Sequence, residues 1–404
     1  MKTYSQMTTT ATTALSQRLL ANRSHDIEFN GYLSNHVKHA IVALDRLDAP
    51  PTRVQEYWDE YTKLTPYKLP LHAVDWDAVQ PVTTLGHWTA LRGTKNNWPG
   101  QVLFMDSELD RLGYKDLVQT YAPSLLAGIA GALTHGIIHL GWGIDAGSPE
   151  MTAEGLAYLN FCHLGVDENE FQAHVWNDAS PFESLLRIAQ QFETQTLQVE
   201  WVDRTKAAFD ETFHPELVPA GFQWQLSKVL AKPHAVVKEL PSWLSNKDDD
   251  DLWESLYRTT VLLYLATRDS EGHGNFLVLH AITSLWALEH VTEVIDDEAI
   301  TRRGLAQYWA VLVSLLATAG FPASSALLEA REKYDGSTRV DAPDFDWSDI
   351  VQRAIAEEEE HNIKLAYVAR ELWKRYGHWT GFREAAQSFT LTPNIGPSAT
   401  AYEA

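Results

Sequence analysis

The sequence predicts an all-α fold, organised as a single large helical, bundle-like domain with irregular surface excursions. Apolar residues recur at the three- and four-residue spacing of amphipathic helices in many separate stretches. No alternating β pattern of any length, no strand–helix–strand rhythm and no repeat period is visible. With 45% hydrophobic residues, the 404-residue chain can also bury a large core. We expect the domain to span residues 25–389, between a flexible lead-in at 1–24 and a flexible tail at 390–404.

The first part of this domain begins with two predicted helices, at residues 27–47 and 54–64. One apolar face of the first helix carries Phe29, Leu33, His36, Ala40, Leu44 and Leu47. Residues 65–100 are rich in proline and tryptophan, and they predict an irregular connection with short helical pieces.

Small residues mark the next helical stretch, residues 114–140. Alanine and glycine allow helices to approach closely around His135 and His139, which are four residues apart and share a helix face. The sequence Gly141-Trp142-Gly143 predicts an interruption of the helix. Ser148-Pro149-Glu150 is a start signal for the next helix, which carries Glu154 to His163.

The rest of the chain predicts further helices at residues 181–213, 252–267, 275–290, 304–319 and 351–376. The segment 344–347 precedes the last of these helices. Residues 214–250 contain four prolines and lead into the acidic run 247–251, so a surface excursion is expected there. On the last helix, His361 and Lys364 are three residues apart and project from the same side.

Charge and cysteine content exclude several functions. The formal net charge of −22, without a concentrated basic face, argues against binding to nucleic acid or to an anionic membrane surface. Cys162 is the only cysteine, which excludes an intrachain disulfide framework and a thiolate zinc cluster within one chain. The N-terminus has no apolar core of signal-peptide length, and no window of about 18 residues is apolar enough to span a bilayer. We therefore expect a cytoplasmic protein, and the sequence predicts no particular oligomeric state.

Histidines on apolar helical faces are the main chemical signal: His36, His39, His135, His139, His280 and His361. Ligands on facing helices are the pattern of a metal site in a helical bundle, and imidazole suits iron, copper, manganese or zinc. A single such histidine is more often a core imidazole bonded to a carbonyl, but several together are harder to explain in that way. Glu358 and His361 supply one Glu-x-x-His match, and a di-iron site needs two. His-Glu-x-x-His, Gly-x-Gly-x-x-Gly, Walker and Gly-x-Ser-x-Gly patterns are missing, which argues against a zincin and against a Rossmann-bound flavin or dinucleotide.

Four short motifs, in this order, resemble the questin oxidase-like family over roughly residues 25–385. They are Ser34-Asn35-His36-Val37-Lys38-His39, His135 to Asp145 with Ala153-Glu154-Gly155-Leu156-Ala157, His280-Ala281-Ile282-Thr283-Ser284, and Glu360-His361-Asn362-Ile363-Lys364. That family includes fungal enzymes that oxidatively open the ring of anthraquinones such as questin. Some of its members are described as non-haem iron oxygenases with histidine ligands and a carboxylated lysine. Ser34 and Asp145 depart from the family pattern, which bears on the substrate rather than on the chemistry.

Carried over residue by residue, the resemblance implies a metal site of His36 or His39, His139, His280, His361 and Lys364. His36 is preferred over His39, because it shares the face of Phe29, Leu33 and Leu44. Expected positions in the second shell or in the pocket wall are held by His39, His135, Trp142, Glu154, Tyr158, Phe276, Thr283, Trp286 and Tyr367.

Lys364 has two interpretations. A lysine removed from water loses affinity for its proton, and the neutral amine can add carbon dioxide to become a carbamate, an anionic oxygen ligand. Four imidazoles and that carbamate would leave Fe(II) about one open position of six. Alternatively, the stem of Lys364 packs in the core and its ammonium group reaches the acidic run Glu357 to Glu360.

The predicted function is that of an iron-dependent oxygenase that cleaves a ring of a phenolic polycyclic ketone or quinone, by a Baeyer-Villiger-like or dioxygenase reaction. Fe(II) is the expected cofactor, dioxygen the co-substrate and a small polycyclic aromatic molecule the partner; NADPH is a candidate reductant without a visible binding motif. Two alternatives remain open: a noncatalytic helical protein that binds a small aromatic ligand, and a metal-dependent hydrolase that uses the same histidines.

Overall fold

The prediction of an all-α fold is confirmed. The computed structural model describes residues 12–172, 176–246, 249–335 and 346–393, and within these ranges the strands are limited to two residues each, β1 (Glu28–Phe29) and β2 (Leu33–Ser34). The α-helices of the described residues are α1 (Ala14–Leu20), α2 (Val37–Arg46), α3 (Pro51–Lys63), α4 (Leu85–Ala90), α5 (Trp98–Leu112), α6 (Tyr114–Tyr121), α7 (His135–Asp145), α8 (Pro149–Phe161), α9 (Pro181–Glu193), α10 (Arg204–Ala207), α11 (Phe222–Ala231), α12 (Ala235–Lys238), α13 (Trp243–Asn246), α14 (Asp249–Ala266), α15 (Phe276–Ile295), α16 (Glu298–Ala319), α17 (Ser324–Asp335), α18 (Ser348–Ala356), α19 (Glu360–Arg375) and α20 (Thr380–Gln387). None of the described helices combines the length and the apolar character that crossing a membrane requires.

Helices α2, α7, α8, α15 and α19 form the centre of the molecule. Helix α7 packs against α8 and α15, and α19 packs against α2 and α15. The main hydrophobic core extends along the chain from Leu19 to Phe389. Because α7, α8 and α15 are buried almost all round, polar side chains on them have to find partners inside the protein.

The predicted interruption at Gly141-Trp142-Gly143 was wrong, because α7 continues through it to Asp145. A Cβ atom on Gly141 would lie 2.4 Å from backbone atoms of Ala287 in α15, and one on Gly143 would lie 2.8 Å from the backbone nitrogen of Thr152 in α8. The two glycines therefore permit close helix packing rather than ending the helix. The start signal at Ser148 is confirmed, since its hydroxyl accepts a hydrogen bond from the Met151 amide.

The predicted helix at residues 27–47 begins only at Val37. Strands β1 and β2 form an antiparallel hairpin in which Phe29 pairs with Leu33. Asn30 and Gly31 adopt positive φ angles of 52° and 80°, so the tight turn here overrides the helical spacing of the apolar residues. His36 occupies the N-cap position of α2, without a capping hydrogen bond from its side chain, instead of lying within a helix.

The predicted helix at residues 351–376 is two helices, α18 and α19, separated at residues 357–359. Carboxylates at the C-terminal end of a helix oppose its dipole, whereas the N-terminal end favours them. The side chain of Glu359 accordingly accepts a hydrogen bond from the His361 amide at the start of α19. This break turns Glu359 and Glu360 into the core, where they are 2% and 0% exposed.

The predicted surface excursion at residues 214–250 contains α11, α12 and α13. Val229, Leu230 and Val237 are buried, and α11 packs against α16, so this part of the prediction was wrong. The predicted helix at 181–213 is divided into α9, a π-helical turn at Gln198–Asp203 and α10. Within the acidic run, residues 247 and 248 lie outside the described residues, as do 344 and 345 of the segment before α18.

Both predicted flexible ends contain packed residues. Leu19 and Leu20 of α1 are buried in the main core. At the other end, the Thr390 amide donates a hydrogen bond of 2.8 Å to Oδ1 of Asn362 in α19. Residues 1–11 and 394–404 of the two predicted ends lie outside the described residues.

Candidate metal centre

Four buried imidazoles from four parts of the chain meet in the core. They belong to His36 before α2, His135 at the start of α7, His280 in α15 and His361 in α19. The ring centre of His36 lies 4.4 Å from that of His135 and 4.6 Å from that of His361. His280 completes the group, with its ring centre 4.8 Å from His135 and 5.0 Å from His361. We call these four residues the histidine cluster.

The Nδ1 atom of every histidine in the cluster has a hydrogen-bond acceptor. Nδ1 of His36 lies 2.6 Å from Oε1 of Glu360, and Nδ1 of His361 lies 2.6 Å from Oε1 of Glu359. Nδ1 of His135 donates to the carbonyl of Ala132 at 2.5 Å, and Nδ1 of His280 donates to the carbonyl of Phe276 at 2.9 Å. A carbonyl or carboxylate partner places the proton on Nδ1 and leaves Nε2 with its lone pair free.

The Nε2 atoms of all four histidines are buried and have no hydrogen-bond partner among the described residues. Burial lowers the pKa of each imidazole below its usual value, to about 3 for His280, so the neutral form dominates at neutral pH. His36, His135 and His361 each offer a ligand atom within 4.8 Å of the others. Several lone pairs without donors in one buried place fit a transition-metal ion with imidazole ligands.

Lys364 is completely buried next to this cluster. Its Nζ atom has no hydrogen-bond partner among the described residues. Burial lowers the pKa of Lys364 to about 8, although Glu360 and Glu359 act to raise it. A positive charge on Lys364 also contributes to the lowered pKa of all four cluster histidines. An ammonium group here would oppose a metal ion, whereas the neutral amine would not.

Glu359, Glu360 and Tyr67 support the cluster, although none of them was among the expected site residues. The Tyr67 hydroxyl donates a hydrogen bond of 2.8 Å to Oε1 of Glu360, the same atom that lies beside Nδ1 of His36. Burial raises the pKa of both carboxyl groups, and for Glu360 the neighbouring Glu359 raises it further. Carboxylates bonded to Nδ1 fix the orientation of metal-binding imidazoles in many proteins. The signal that could have found them is the acidic run immediately before His361.

His39 and His139 form a separate second layer. Nε2 of His39 lies 3.0 Å from Nδ1 of His139, and Nε2 of His139 lies 3.3 Å from Oε1 of Glu154. The other oxygen of Glu154 bonds to the ammonium group of Lys38. Burial alone would raise the pKa of Glu154, but Lys38, His139 and Arg23 lower it to about 2. Glu154 is therefore the ionised partner of this layer.

The structure thus brings His36 and His135, rather than His39 and His139, to the cluster. For His36 this agrees with our preference, but the positions of His135 and His139 are the reverse of those expected. Three consecutive residues with positive φ, Ala132, Leu133 and Thr134, precede α7 and place His135 at its first position beside His36. His139 lies one turn further along α7, and it meets His39 one turn further along α2.

The other candidate residues lie in different places. Phe276 packs at ring-centre distances of 4.6 Å from His361 and 5.3 Å from His280, beside a small cavity at the cluster. Trp286 and Tyr367 both donate hydrogen bonds to Asp145, and Trp142 lies between Tyr367 and His39. Tyr158 and Thr283 do not line that cavity. The Tyr158 hydroxyl forms hydrogen bonds with Ser34 and Glu28, and the Thr283 hydroxyl is buried without a partner among the described residues.

Several known proteins are similar in sequence to this chain. A family model described as Questin oxidase-like matches residues 33–369. The chain is 29% identical over 144 residues to a questin oxidase of Aspergillus fumigatus, a match that covers 34% of this chain and 32% of the relative. It is 27% identical over 150 residues to a Baeyer-Villiger oxidase of Pestalotiopsis fici, covering 34% of this chain and 33% of the relative. With a Baeyer-Villiger monooxygenase of Aspergillus aculeatus it shares 31% identity over 137 residues, or 30% of this chain and 27% of the relative. The matched stretches thus span about a third of the length of these curated relatives.

Proposed function

The chain belongs to the questin oxidase-like family, and on that premise we propose that it is an iron-dependent oxygenase that opens a ring of a phenolic polycyclic ketone or quinone. Curated relatives named questin oxidase and Baeyer-Villiger oxidase support an oxidoreductase that acts on polyketide-type aromatic molecules. The finer parts of the proposal, which are the iron, the dioxygen and the ring cleavage, rest on the histidine cluster.

One observation carries the proposal: four neutral imidazoles whose rings are neighbours in the core each have an unpartnered Nε2 atom among the described residues. His36, His135, His280 and His361 would hold the metal ion through these atoms. Fe(II) bound there would supply redox chemistry with dioxygen as the co-substrate. Among the described residues the cluster has no thiolate, which agrees with a metal that accepts nitrogen and oxygen ligands.

Glu359 and Glu360 prepare the cluster for this role. By accepting the Nδ1 protons of His361 and His36, they hold both rings in the tautomer that points its lone pair away from them. Ala132 and Phe276 do the same for His135 and His280 through backbone carbonyls. Since none of the four imidazoles has to lose a proton, they are ready to bind a cation at neutral pH.

Lys364 is proposed to complete the ligand set as a carbamate. Its amine is buried, lacks a partner among the described residues and has a pKa of about 8, so a substantial fraction is neutral at mildly alkaline pH. Addition of carbon dioxide to the neutral amine, with release of one proton to solvent, would give an anionic carbamate whose oxygen is a ligand. The carbamate would take the place of an ammonium group that a metal ion would repel.

The source of electrons depends on the reaction. Insertion of one oxygen atom beside a carbonyl leaves the second atom of dioxygen to be reduced to water by two electrons. The sequence has no dinucleotide-binding motif, so NADPH would act through a separate reductase, or the phenolic substrate itself would supply the electrons.

Metal and oxygen analysis of the full chain tests the proposal. Protein purified without oxygen and loaded with Fe(II) is expected to hold one iron per chain and to consume dioxygen when a polyhydroxyanthraquinone is added. Mass spectrometry is expected to show a product that has gained oxygen and lost one ring closure. His361→Asn is expected to abolish both iron retention and oxygen uptake. Protein that retains no iron and shows no spectral change with dioxygen would contradict the proposal.

A further inference from the structure

A small cavity adjoins the histidine cluster. Its walls combine three cluster histidines, His36, His135 and His280, with Tyr32, Phe276 and Gln223. The volume open to water is only about 20 Å³, which is close to the space of one water molecule. A fused-ring molecule needs a site of about 300 Å³ or more. Part of the wall therefore has to move before a ring substrate can enter.

The part of the wall that is suited to move is a small hydrophobic unit separate from the main core. It consists of Phe29, Tyr32 and Leu33 of the hairpin, Tyr67 of the following connection and Ala220 before α11. We call this unit the cover. Because the cover is a hydrophobic cluster separate from the core formed by α7, α15 and α19, its movement would not have to open that core.

Gln223 of α11 lies where the cover meets the cavity. Its side-chain amide nitrogen, Nε2, donates a hydrogen bond of 3.3 Å to the carbonyl of Tyr32. Its Oε1 atom is buried and has no hydrogen-bond partner among the described residues, although the residue is only 8% exposed. The reverse orientation would direct Oε1 at the Tyr32 carbonyl, and two acceptors would then face each other. The hydrogen bond to Tyr32 therefore fixes the orientation of the Gln223 amide and leaves Oε1 as an acceptor without a donor among the described residues.

We propose that Gln223 is a specificity-determining residue, whose Oε1 accepts a hydrogen bond from a neutral hydroxyl group on a ring of the substrate. A buried acceptor without a partner favours a ligand that brings a donor, and it disfavours the same ring when the hydroxyl is methylated or missing. Phe276, Leu33 and Leu133 supply apolar surface for the ring itself. This inference rests on the proposed function for the aromatic nature of the substrate, and it adds which group on the ring is recognised.

Binding of simple two-ring probes tests this role independently of turnover. The full-length protein, as purified and kept under nitrogen, is titrated at pH 7 with 2-naphthol, 2-methoxynaphthalene and naphthalene, and dissociation constants are measured by calorimetry. We expect 2-naphthol to bind at least about fivefold more tightly than either other probe, since only 2-naphthol can donate to Oε1. Both comparisons are needed because the methyl ether is larger than 2-naphthol and naphthalene is smaller.

The Gln223→Met variant keeps the length of the side chain but removes the acceptor. It is expected to bind all three probes with dissociation constants within about twofold of one another. The matched control is Gln225→Met on the same helix, which does not line the cavity and should keep the fivefold preference. A wild-type protein without a preference for 2-naphthol, or a Gln223→Met variant that retains it, would overturn the role of Gln223.

Failure of this inference can be distinguished from failure of the proposed function. Oxygen uptake by the iron-loaded protein is measured in parallel with a polyhydroxyanthraquinone. A protein that prefers 2-naphthol through Gln223 but consumes no dioxygen would contradict the oxygenase proposal and support the recognition of a ring hydroxyl. Intact oxygen uptake without any hydroxyl preference would overturn the role of Gln223 alone.

Discussion

Protonation of individual nitrogen atoms decides what the histidine cluster can bind. The Nδ1 atoms of all four imidazoles are engaged by carboxylates or carbonyls, so the lone pairs lie on Nε2. The sequence identified all four residues, and the stripe of apolar residues in α19 correctly indicated that His361 enters the core. It could not distinguish His135 from His139, because residues four apart share a helix face and only the position of the helix start separates them.

The two histidines of α7 are predicted to differ in their effect on metal binding. His135→Asn removes a nitrogen atom of the cluster, and we expect its iron content after loading and desalting to fall at least tenfold. His139→Asn alters only the second layer and should retain more than half of the wild-type iron. Metal analysis by mass spectrometry measures both. Equal loss in the two variants would contradict the division into cluster and second layer.

Glu360 is predicted to raise metal affinity through His36. Glu360→Gln keeps the size of the side chain but replaces the carboxyl oxygen beside Nδ1 of His36 with a weaker amide acceptor, and the dissociation constant for Fe(II) should rise about 10- to 100-fold. The matched control is Glu358→Gln, an exposed neighbour, which should bind Fe(II) as the wild type does. If both variants bind equally well, Glu360 has no orienting role.

Buried Lys364 is expected to make the free energy of unfolding depend on pH, when the protein is free of metal and the buffer is free of carbonate. Its folded pKa of about 8 lies below the unfolded value of 10.5, so between these values the unfolded chain binds the additional proton. The free energy of unfolding should therefore rise with pH above 8, by up to about 1.4 kcal/mol per pH unit from this group. Below pH 8 both states are protonated and this contribution is constant.

Comparison with Lys364→Met isolates that contribution. The difference in unfolding free energy, wild type minus variant, should increase between pH 8 and 9.5 in urea denaturation. Lys374→Met, an exposed lysine on the same helix, should show no such increase. A flat difference for Lys364→Met would mean that its amine does not lose its proton in the fold.

Helix ends and breaks set the positions of these residues, and they were the least predictable elements. The helical spacing in residues 27–47 and 351–376 was correct in part, but a hairpin occupies the start of the first stretch and a break at 357–359 divides the second. Both departures affect the site, because they place His36 at a helix start and turn Glu359 and Glu360 inward. Turn conformation and capping are local choices that apolar periodicity does not encode.

Gly141 is predicted to allow the close approach of α7 and α15. These two helices carry His135 and His280. Gly141→Ala would place its Cβ atom 2.4 Å from backbone atoms of Ala287, so the two helices would have to separate. We expect a loss of about 1–3 kcal/mol in the free energy of unfolding. Gly86→Ala in α4, where an added Cβ meets nothing within 4 Å, should be neutral or stabilising by up to about 1 kcal/mol. Chemical denaturation that shows equal effects would contradict close packing at Gly141.

At the scale of the whole molecule, residues from distant parts of the sequence meet in one core. The all-α class, the family and most helices were predictable, since they depend on composition, local periodicity and short motifs. The cavity and its cover were not predictable. Gln223 lies in a stretch whose prolines and charges predicted a surface excursion, and Tyr67 lies in a stretch whose prolines predicted an irregular connection. Only the packing of α11 and of the hairpin shows that these two residues line the same cavity.

Location of the metal by anomalous X-ray scattering tests the proposed centre most directly. Crystals of the full chain, grown without oxygen from Fe(II)-loaded protein, would be measured at energies above and below the iron absorption edge. We predict a single anomalous peak about 2.1 Å from the Nε2 atoms of His36, His135, His280 and His361. A peak at His39 and His139, a peak held by Glu359 and Glu360 instead of the imidazoles, or no iron peak in the core would contradict the proposed centre.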